Sequence, residues 1–345
     1  MDSPASTSNC LPLGCTLTLK LMITRSAGNG RHTARVALSP DRALPRRLRR
    51  PTLLIVGCGD VGLRLAEQLR ASAARLRILA TARRPEQLAA IRRTGATALN
   101  CNLDDRRSLK RLAGLSRWLV HLAPPPNEGA VDTRSNALIA ACARAAWRAR
   151  TDGAPFRWSY VSTSGVYGDH QGAWVGETSR LAPANLRSVR RLAAERSLRA
   201  FGRRTSARVA LLRAPGIYAE NRLPVERLRQ GLPALVNEED VYTNHIHAGE
   251  LARACWLALW RGRPGRSYNV SDDTRMRMGE YFDTVADALK LPRPRRLPMA
   301  DLAQAVSPMM LSFMRESRRL RNDRMKTELR MRLRIPDVRS LVASV

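Results

Sequence analysis

Lysine is almost missing from this chain of 345 residues, where Lys20, Lys110, Lys290 and Lys326 are the only ones. Acids are scarce as well, 29 against 60 basic residues, which leaves a formal net charge of +31. The basic load is therefore arginine, about one residue in six, and it is spread along the whole length. With abundant alanine and leucine, that pattern is what a GC-rich coding bias yields, so charge alone does not argue for a nucleic-acid partner. Aromatic residues are only 5% and none interleaves with a basic run. A stacking platform for single strands is thus excluded, and only salt-sensitive, non-specific adsorption to nucleic acid is expected. No run of about 18 uncharged apolar residues exists, so no membrane span is expected. The six cysteines (Cys10, Cys15, Cys58, Cys101, Cys142, Cys255) form no C-x-x-C and no metal-ligand pair. Reduced thiols in the cytoplasm are the simplest reading. His245 and His247 alternate without an acid or cysteine nearby, a poor metal site. The G-x-S-x-G elbow of a hydrolase is absent, and the acids at 104–105 and 238–240 read as helix-start or loop residues rather than a glycosidase pair.

What is present begins at Pro51. The apolar run Leu53-Leu54-Ile55-Val56 meets Gly57-Cys58-Gly59-Asp60-Val61-Gly62, and an amphipathic helix follows with Val61, Leu63, Leu65, Ala66 and Leu69 on its apolar side. Strand, G-x-G-x-x-G, helix is the order of a dinucleotide-binding unit. Gly57 allows the tight turn off the strand, Gly59 lets a pyrophosphate approach the backbone, and Gly62 lets the helix pack closely. The helix N-terminus offers free N–H groups and partial positive charge to phosphates.

From there buried-type strands and helices alternate regularly. Strands are predicted at 53–56, 76–82, 98–103, 118–123, 158–163 and 209–213, with helices between them. The pattern implies an α/β fold, a Rossmann-type doubly wound parallel sheet, with sites beyond the carboxyl ends of the strands. A domain at 51–213 and a smaller α+β substrate lobe at 214–345 are expected. In the lobe, a strand is predicted at 240–246, one helix near 300–314, and a solvated basic helix with an irregular end at 315–334. Residues 1–50 differ in composition and are expected to form a disordered arginine-rich tail. Their serine-rich, acid-poor make-up also resembles an organelle transit peptide.

A unit that prefers NAD usually carries an acid at the end of its second strand, for the ribose hydroxyls. Here that place reads Thr81-Ala82-Arg83-Arg84. The missing carboxylate, with two guanidinium groups able to pair with a 2′-phosphate, makes NADP the expected cofactor over NAD.

Several further stretches resemble the extended short-chain dehydrogenases/reductases of the NAD(P)-dependent epimerase/dehydratase type. They are Asn102-Leu103 beside the adenine place, His121-Leu122-Ala123 at the end of strand 4, the run from Tyr160 to Gly168, Leu212 to Tyr218, and His245-Ile246-His247 ahead of Glu250-Leu251-Ala252. The resemblance covers about residues 52–340. It implies cofactor contacts from Gly57, Gly59, Asp60, Val61, Gly62, Asn102, Leu103, Leu122 and Ala123. The family's catalytic Ser/Thr, Tyr and Lys are only partly matched. Thr163 fits the hydroxyl position. The Tyr-x-x-x-Lys slot reads Arg187 to Arg191, and no tyrosine in the chain has lysine four residues later. A guanidinium stays protonated and cannot be the general acid/base. Arg191 is expected to hold ribose or phosphate, Arg187 to bind an anionic substrate, and Tyr167 to stand in as proton donor or else to form the cleft wall. An atypical member of that group, with a small-molecule substrate and a non-standard site, is expected; the alternative is a non-catalytic NADP-binding sensor or scaffold.

Overall fold

The computed structural model describes residues 50–72 and 75–343, so the tail lies, but for Arg50, outside the described residues. β1 (Thr52–Val56) is apolar without a break because both its faces are covered, and Leu53, Leu54, Ile55 and Val56 are all buried. It is followed by α1 (Asp60–Ala71), β2 (Arg77–Ala82), α2 (Pro85–Arg93), β3 (Thr97–Asn100), α3 (Arg106–Lys110), β4 (Trp118–His121), α4 (Thr133–Thr151) and β5 (Arg157–Thr163). Then come β6 (Trp174–Val175), α5 (Leu186–Thr205), β7 (Arg208–Ala214), β8 (Gly216–Tyr218), α6 (Val225–Arg229), β9 (Ala234–Leu235) and β10 (His245–His247). The chain continues with α7 (Ala248–Arg261), β11 (Arg266–Asn269), α8 (Met278–Ala288), β12 (Arg296–Leu297), α9 (Met299–Ala305), α10 (Pro308–Met314), β13 (Arg319–Leu320), α11 (Asp323–Glu328) and α12 (Val338–Val342).

Among the described residues, seven strands form one parallel sheet in the order β11-β7-β5-β4-β1-β2-β3. The chain leaves β1 towards β2 and β3, then returns to lay β4 on the other side of β1. That reversal is the topological switch point, where such sheets bind ligands. One face is covered by α1 and α7, which pack on each other. The other is covered by α4 and α5, with Trp158, Phe156 and Phe201 packed edge-on beneath them.

The alternation expected from sequence is present, with differences that follow from long-range packing. The seventh strand, β11, and the covering helix α7 come from beyond residue 214, so part of the stretch assigned to the lobe completes the sheet. The strand expected over 240–246 shrinks to β10, and Tyr242 makes only an isolated bridge to Arg277. The helix near 300–314 is two helices, since the first stops at Ala305 with an extended Val306 at its end and Ser307 caps the next, with Pro308 in its first turn. The basic stretch 315–334 is not a solvated helix. It lays β13 beside β6 and buries Leu320, Met325, Leu329 and Met331, while Arg318, Arg319 and Arg324 donate to the carbonyls of Gly168, Gly172 and Ser267.

Candidate functional site

The loop after β1 is shaped by its glycines and by Thr81. Gly57 has φ +80°, and a Cβ there would lie 2.5 Å from the Ala123 Cα, so the turn off β1 and the end of β4 touch backbone to backbone. Only glycine tolerates both demands. The Thr81 hydroxyl accepts from Gly57 N–H at 3.0 Å, which fastens the loop to β2. At Gly59, the residue that caps α1, a Cβ would meet nothing within 4 Å. The backbone therefore faces open space beside the first turn of α1, as a phosphate cradle requires. A Cβ at Gly62 would press on Cys58 Sγ at 2.9 Å and Leu122 at 3.2 Å, so this glycine fits α1 against its own loop and the end of β4. Val61 is buried in α1's core face. Burial, with the Glu67 charge adding, pushes the Cys58 thiol up to about 12, which leaves it inert in the loop.

A cavity of about 250 Å³ opens over this loop, between Gly57–Gly62, Leu122, Thr163 and Arg191. A second of about 520 Å³ adjoins it, bounded by Tyr242, His245, Tyr281 and Phe313. Thr163, Arg187, Pro215, Ile217 and Arg222 line both and so form the passage between them. Thr163, at the end of β5, accepts from Gly165 N–H at 3.1 Å and keeps its hydroxyl at this passage. Among the described residues Arg187 has no acid within ion-pair reach. Desolvation, and then the neighbouring Arg191 and Arg190 charges, pull its guanidinium below the usual range. An unneutralised cation at the mouth of a cavity is a place for an anion.

Arg191 is buried in the position four residues further along α5. One Nη donates to the carbonyls of Ala123 at 3.1 Å and Val161 at 3.0 Å and to the Tyr160 hydroxyl at 3.1 Å. It thereby fastens the ends of β4 and β5 together under the first cavity, which it also lines. Below it His121 is fully enclosed. Burial, with the Arg191 charge adding, holds this imidazole down to about 3, so it stays neutral.

Tyr167 does not line either of these two cavities. It is fully buried, its hydroxyl donates to Asn269 at 2.6 Å and accepts from Arg213 at 3.0 Å, and burial pushes its phenol up. Tyr167 belongs to a buried polar network that no local pattern marks. Arg213 makes two hydrogen bonds to Glu195, at 3.1 and 2.8 Å, and Ser162 donates to the same carboxylate at 2.7 Å. Glu195 and Arg213 are at most 1% exposed, so the pair holds α5 to β7 in the interior. Ser162, Tyr167 and Arg213 stand inside stretches that carried the family resemblance, Glu195 and Asn269 outside them, and only the fold brings the five together. Arg222, in the passage, was missed because a single arginine in an arginine-rich chain carries no signal.

At the other end of the sheet, Arg83 and Arg84 sit exposed after β2, and Asn102 and Leu103 follow β3. Asn102 turns its chain by accepting from Asp104 N–H at 3.1 Å, and Leu103 packs partly into the core. Asp104 is bound at 2.7 Å by Arg134, whose hydrogen bond holds the carboxyl below its usual range, with the Arg83 charge adding. Arg83 and Arg84 follow the carboxyl end of β2, the glycine loop that of β1 and Asn102 and Leu103 that of β3, while Arg191 reaches carbonyls just past β4 and within β5. Among the described residues no group of histidines, cysteines and acids could hold a metal ion.

Comparison with known proteins gives consistent findings. Residues 53–271 match the NAD dependent epimerase/dehydratase family. A functionally unknown conserved protein from Silicibacter pomeroyi is 30% identical, with a TM-score of 0.70 over 85% of this chain and 97% of that one. The UDP-glucuronic acid 4-epimerase from Bacillus cereus, solved with NAD, has the same fold at 13% identity, with a TM-score of 0.66 over 84% of this chain and 96% of that one. A trifunctional UDP-glucose 4,6-dehydratase/UDP-4-keto-6-deoxy-D-glucose 3,5-epimerase/UDP-4-keto-L-rhamnose-reductase from Arabidopsis thaliana is 28% identical over 146 residues, 39% of this chain. The match spans about a fifth, 21%, of that plant protein.

Proposed function

The chain belongs to the NAD dependent epimerase/dehydratase family, and on that premise we propose that it is a nicotinamide-dinucleotide-binding protein of oxidoreductase or epimerase type. It prefers NADP and takes an anionic small molecule. The observation that carries this reading is the passage between the two cavities, where the Thr163 hydroxyl and the unneutralised Arg187 meet the space over the glycine loop. Gly57, Gly59 and Gly62 shape the loop that would hold the dinucleotide phosphates, and Arg191, which lines the first cavity, is the group that would hold the nicotinamide ribose. Arg83 and Arg84 are the groups for a 2′-phosphate. When bound, the nicotinamide supplies hydride exchange with a substrate carbon.

The protein's part in such a reaction is to orient and to polarise. Thr163 directs a substrate oxygen, and the Arg187 charge stabilises negative charge developing on it. Neither group gives up a proton near neutral pH, so the proton comes from solvent. Arg187 and Arg191 in the Tyr-x-x-x-Lys slot favour a second reading, a dinucleotide-binding sensor without turnover. The buried, reduced cysteines Cys58, Cys101, Cys142 and Cys255 are in keeping with a cytoplasmic setting. No helix among the described residues is long and apolar enough to cross a membrane.

The test is NADPH absorbance followed with the full chain across a panel of anionic aldehydes, keto acids and nucleotide sugars. Substrate-dependent oxidation supports the enzyme. Tight binding with no oxidation by any of them supports the sensor, and failure to bind any dinucleotide sinks both.

A further inference from the structure

Asp60 occupies the first position of α1, at the place where the loop opens to the first cavity. A carboxylate there is favoured by the helix dipole, but the same place attracts phosphate, and two anions cannot share it without a cation. The groups around Asp60 are unequal. Its Oδ1 accepts from Arg64 at 3.1 Å, and Arg64 is further engaged by Glu220 at 2.9 Å. Its Oδ2 is shut off from solvent and receives no hydrogen bond, yet it lies 3.5 Å from an Nη of Arg222. Arg222 sits outside regular structure between β8 and α6, with its side chain 41% exposed, and it lines both cavities. Arg64 is thus committed to two carboxylates, whereas Arg222 leans on Asp60 at a distance too long for a firm hydrogen bond.

We propose that Arg222 is the counter-ion of the dinucleotide pyrophosphate, drawn from the lobe side of the cleft and oriented over the loop by Asp60. The inference rests on the cofactor reading above. It explains how an acid is tolerated in the first turn of a phosphate-binding helix. The Asp60 charge is offset by a cation that reaches both it and the ligand. Because Arg222 is shared with the second cavity, it also links the two sites physically.

Calorimetric titration of the full chain with NADPH, NADH, ADP-ribose and adenosine tests this. Arg222→Ala is expected to weaken the three pyrophosphate-bearing ligands alike, by about tenfold to a hundredfold, the range for a lost charge-assisted hydrogen bond. Adenosine, which has no phosphate, is expected to bind both proteins equally. Arg222→Lys should retain most of the affinity. Adding Asp60→Asn to Arg222→Ala should recover much of the loss, because the uncompensated carboxylate is then gone, a rescue that a merely structural arginine would not show. The inference alone is overturned if the wild type binds ADP-ribose and Arg222→Ala binds it equally well, if adenosine weakens in step, or if Asp60→Asn brings no recovery. A wild type that binds none of the dinucleotides overturns the cofactor reading and this inference with it.

Discussion

Two glycines two residues apart should respond to alanine in opposite ways. Gly57→Ala puts a side chain at φ +80° with its Cβ 2.5 Å from the Ala123 Cα and 2.6 Å from its nitrogen. The left-handed conformation costs about 1–2 kcal/mol for a residue with a Cβ, and forcing a methyl into packed backbone adds about 1–3 kcal/mol. The sum, about 2–5 kcal/mol, is a large part of a typical folding free energy of about 5–15 kcal/mol. Gly59→Ala is different. Its backbone is extended at φ −94°, and the new methyl meets no protein atom within 4 Å. Its stability should change by less than about 1 kcal/mol, within reach of an ordinary surface substitution. The methyl does enter the space over the loop, where overpacking by about 1–3 kcal/mol weakens a bound dinucleotide by about fivefold to 150-fold. Urea unfolding of both variants, with NADPH titration of each folded protein, reads the two quantities separately. Equal destabilisation by the two alanines, or wild-type NADPH affinity in Gly59→Ala, would refute the reasoning that Gly57 serves the fold and Gly59 the ligand.

Other consequences follow from named contacts. Arg83→Glu should weaken NADPH by about 1–3 kcal/mol, the worth of a charged hydrogen bond, and leave NADH nearly alone; equal loss of both in a titration contradicts the 2′-phosphate assignment. Glu195→Ala leaves Arg213 as an uncompensated charge in the interior and should cost about 3–5 kcal/mol in denaturant unfolding. A loss below about 1 kcal/mol would show that the pair does not hold α5 to β7. His121 is neutral in the fold down to about pH 3 but takes a proton near pH 6.5 once unfolded. Between those values the unfolded state binds more protons, so the His121 contribution is complete above about pH 6.5 and falls as the pH drops. Relative to His121→Phe, the wild type should lose about 2 kcal/mol between pH 7 and pH 5, and a difference that stays constant over that range contradicts the buried neutral imidazole.

Much of the architecture was legible because the strands at the sheet centre are buried on both faces and read as unbroken apolar runs. The loop from Gly57 to Gly62 was legible for a local reason, since the turn, the close approach to Ala123 and the helix start all leave their mark within six residues. What was not legible depends on partners far apart in the chain. Nothing near Arg266–Asn269 shows that it will pair with β7, and the apolar residues of 315–334 find a core only once β6 and β11 are in place. Tyr167 reads as available from sequence because it follows the end of the fifth strand, where the site is expected. In the fold, the short helical turn at 164–167 carries its ring inward to Arg213 and Asn269. The arginines were the hardest to rank, since composition makes every one of them unremarkable. The fold shows how differently two of them are placed: Arg191 donates to two carbonyls and a phenol, whereas Arg187 faces the passage with no acid in ion-pair reach among the described residues.

The most direct test of the central claim is a thermal-shift titration of the full chain with NADPH, with NADH and with no ligand. A ligand that binds only the folded state adds about 2.7 kcal/mol at a hundred times its dissociation constant. The expected result is a clear rise in Tm with NADPH and a smaller one with NADH at equal concentration. An unchanged Tm with both dinucleotides at millimolar concentration would contradict a dinucleotide site at Gly57 to Gly62.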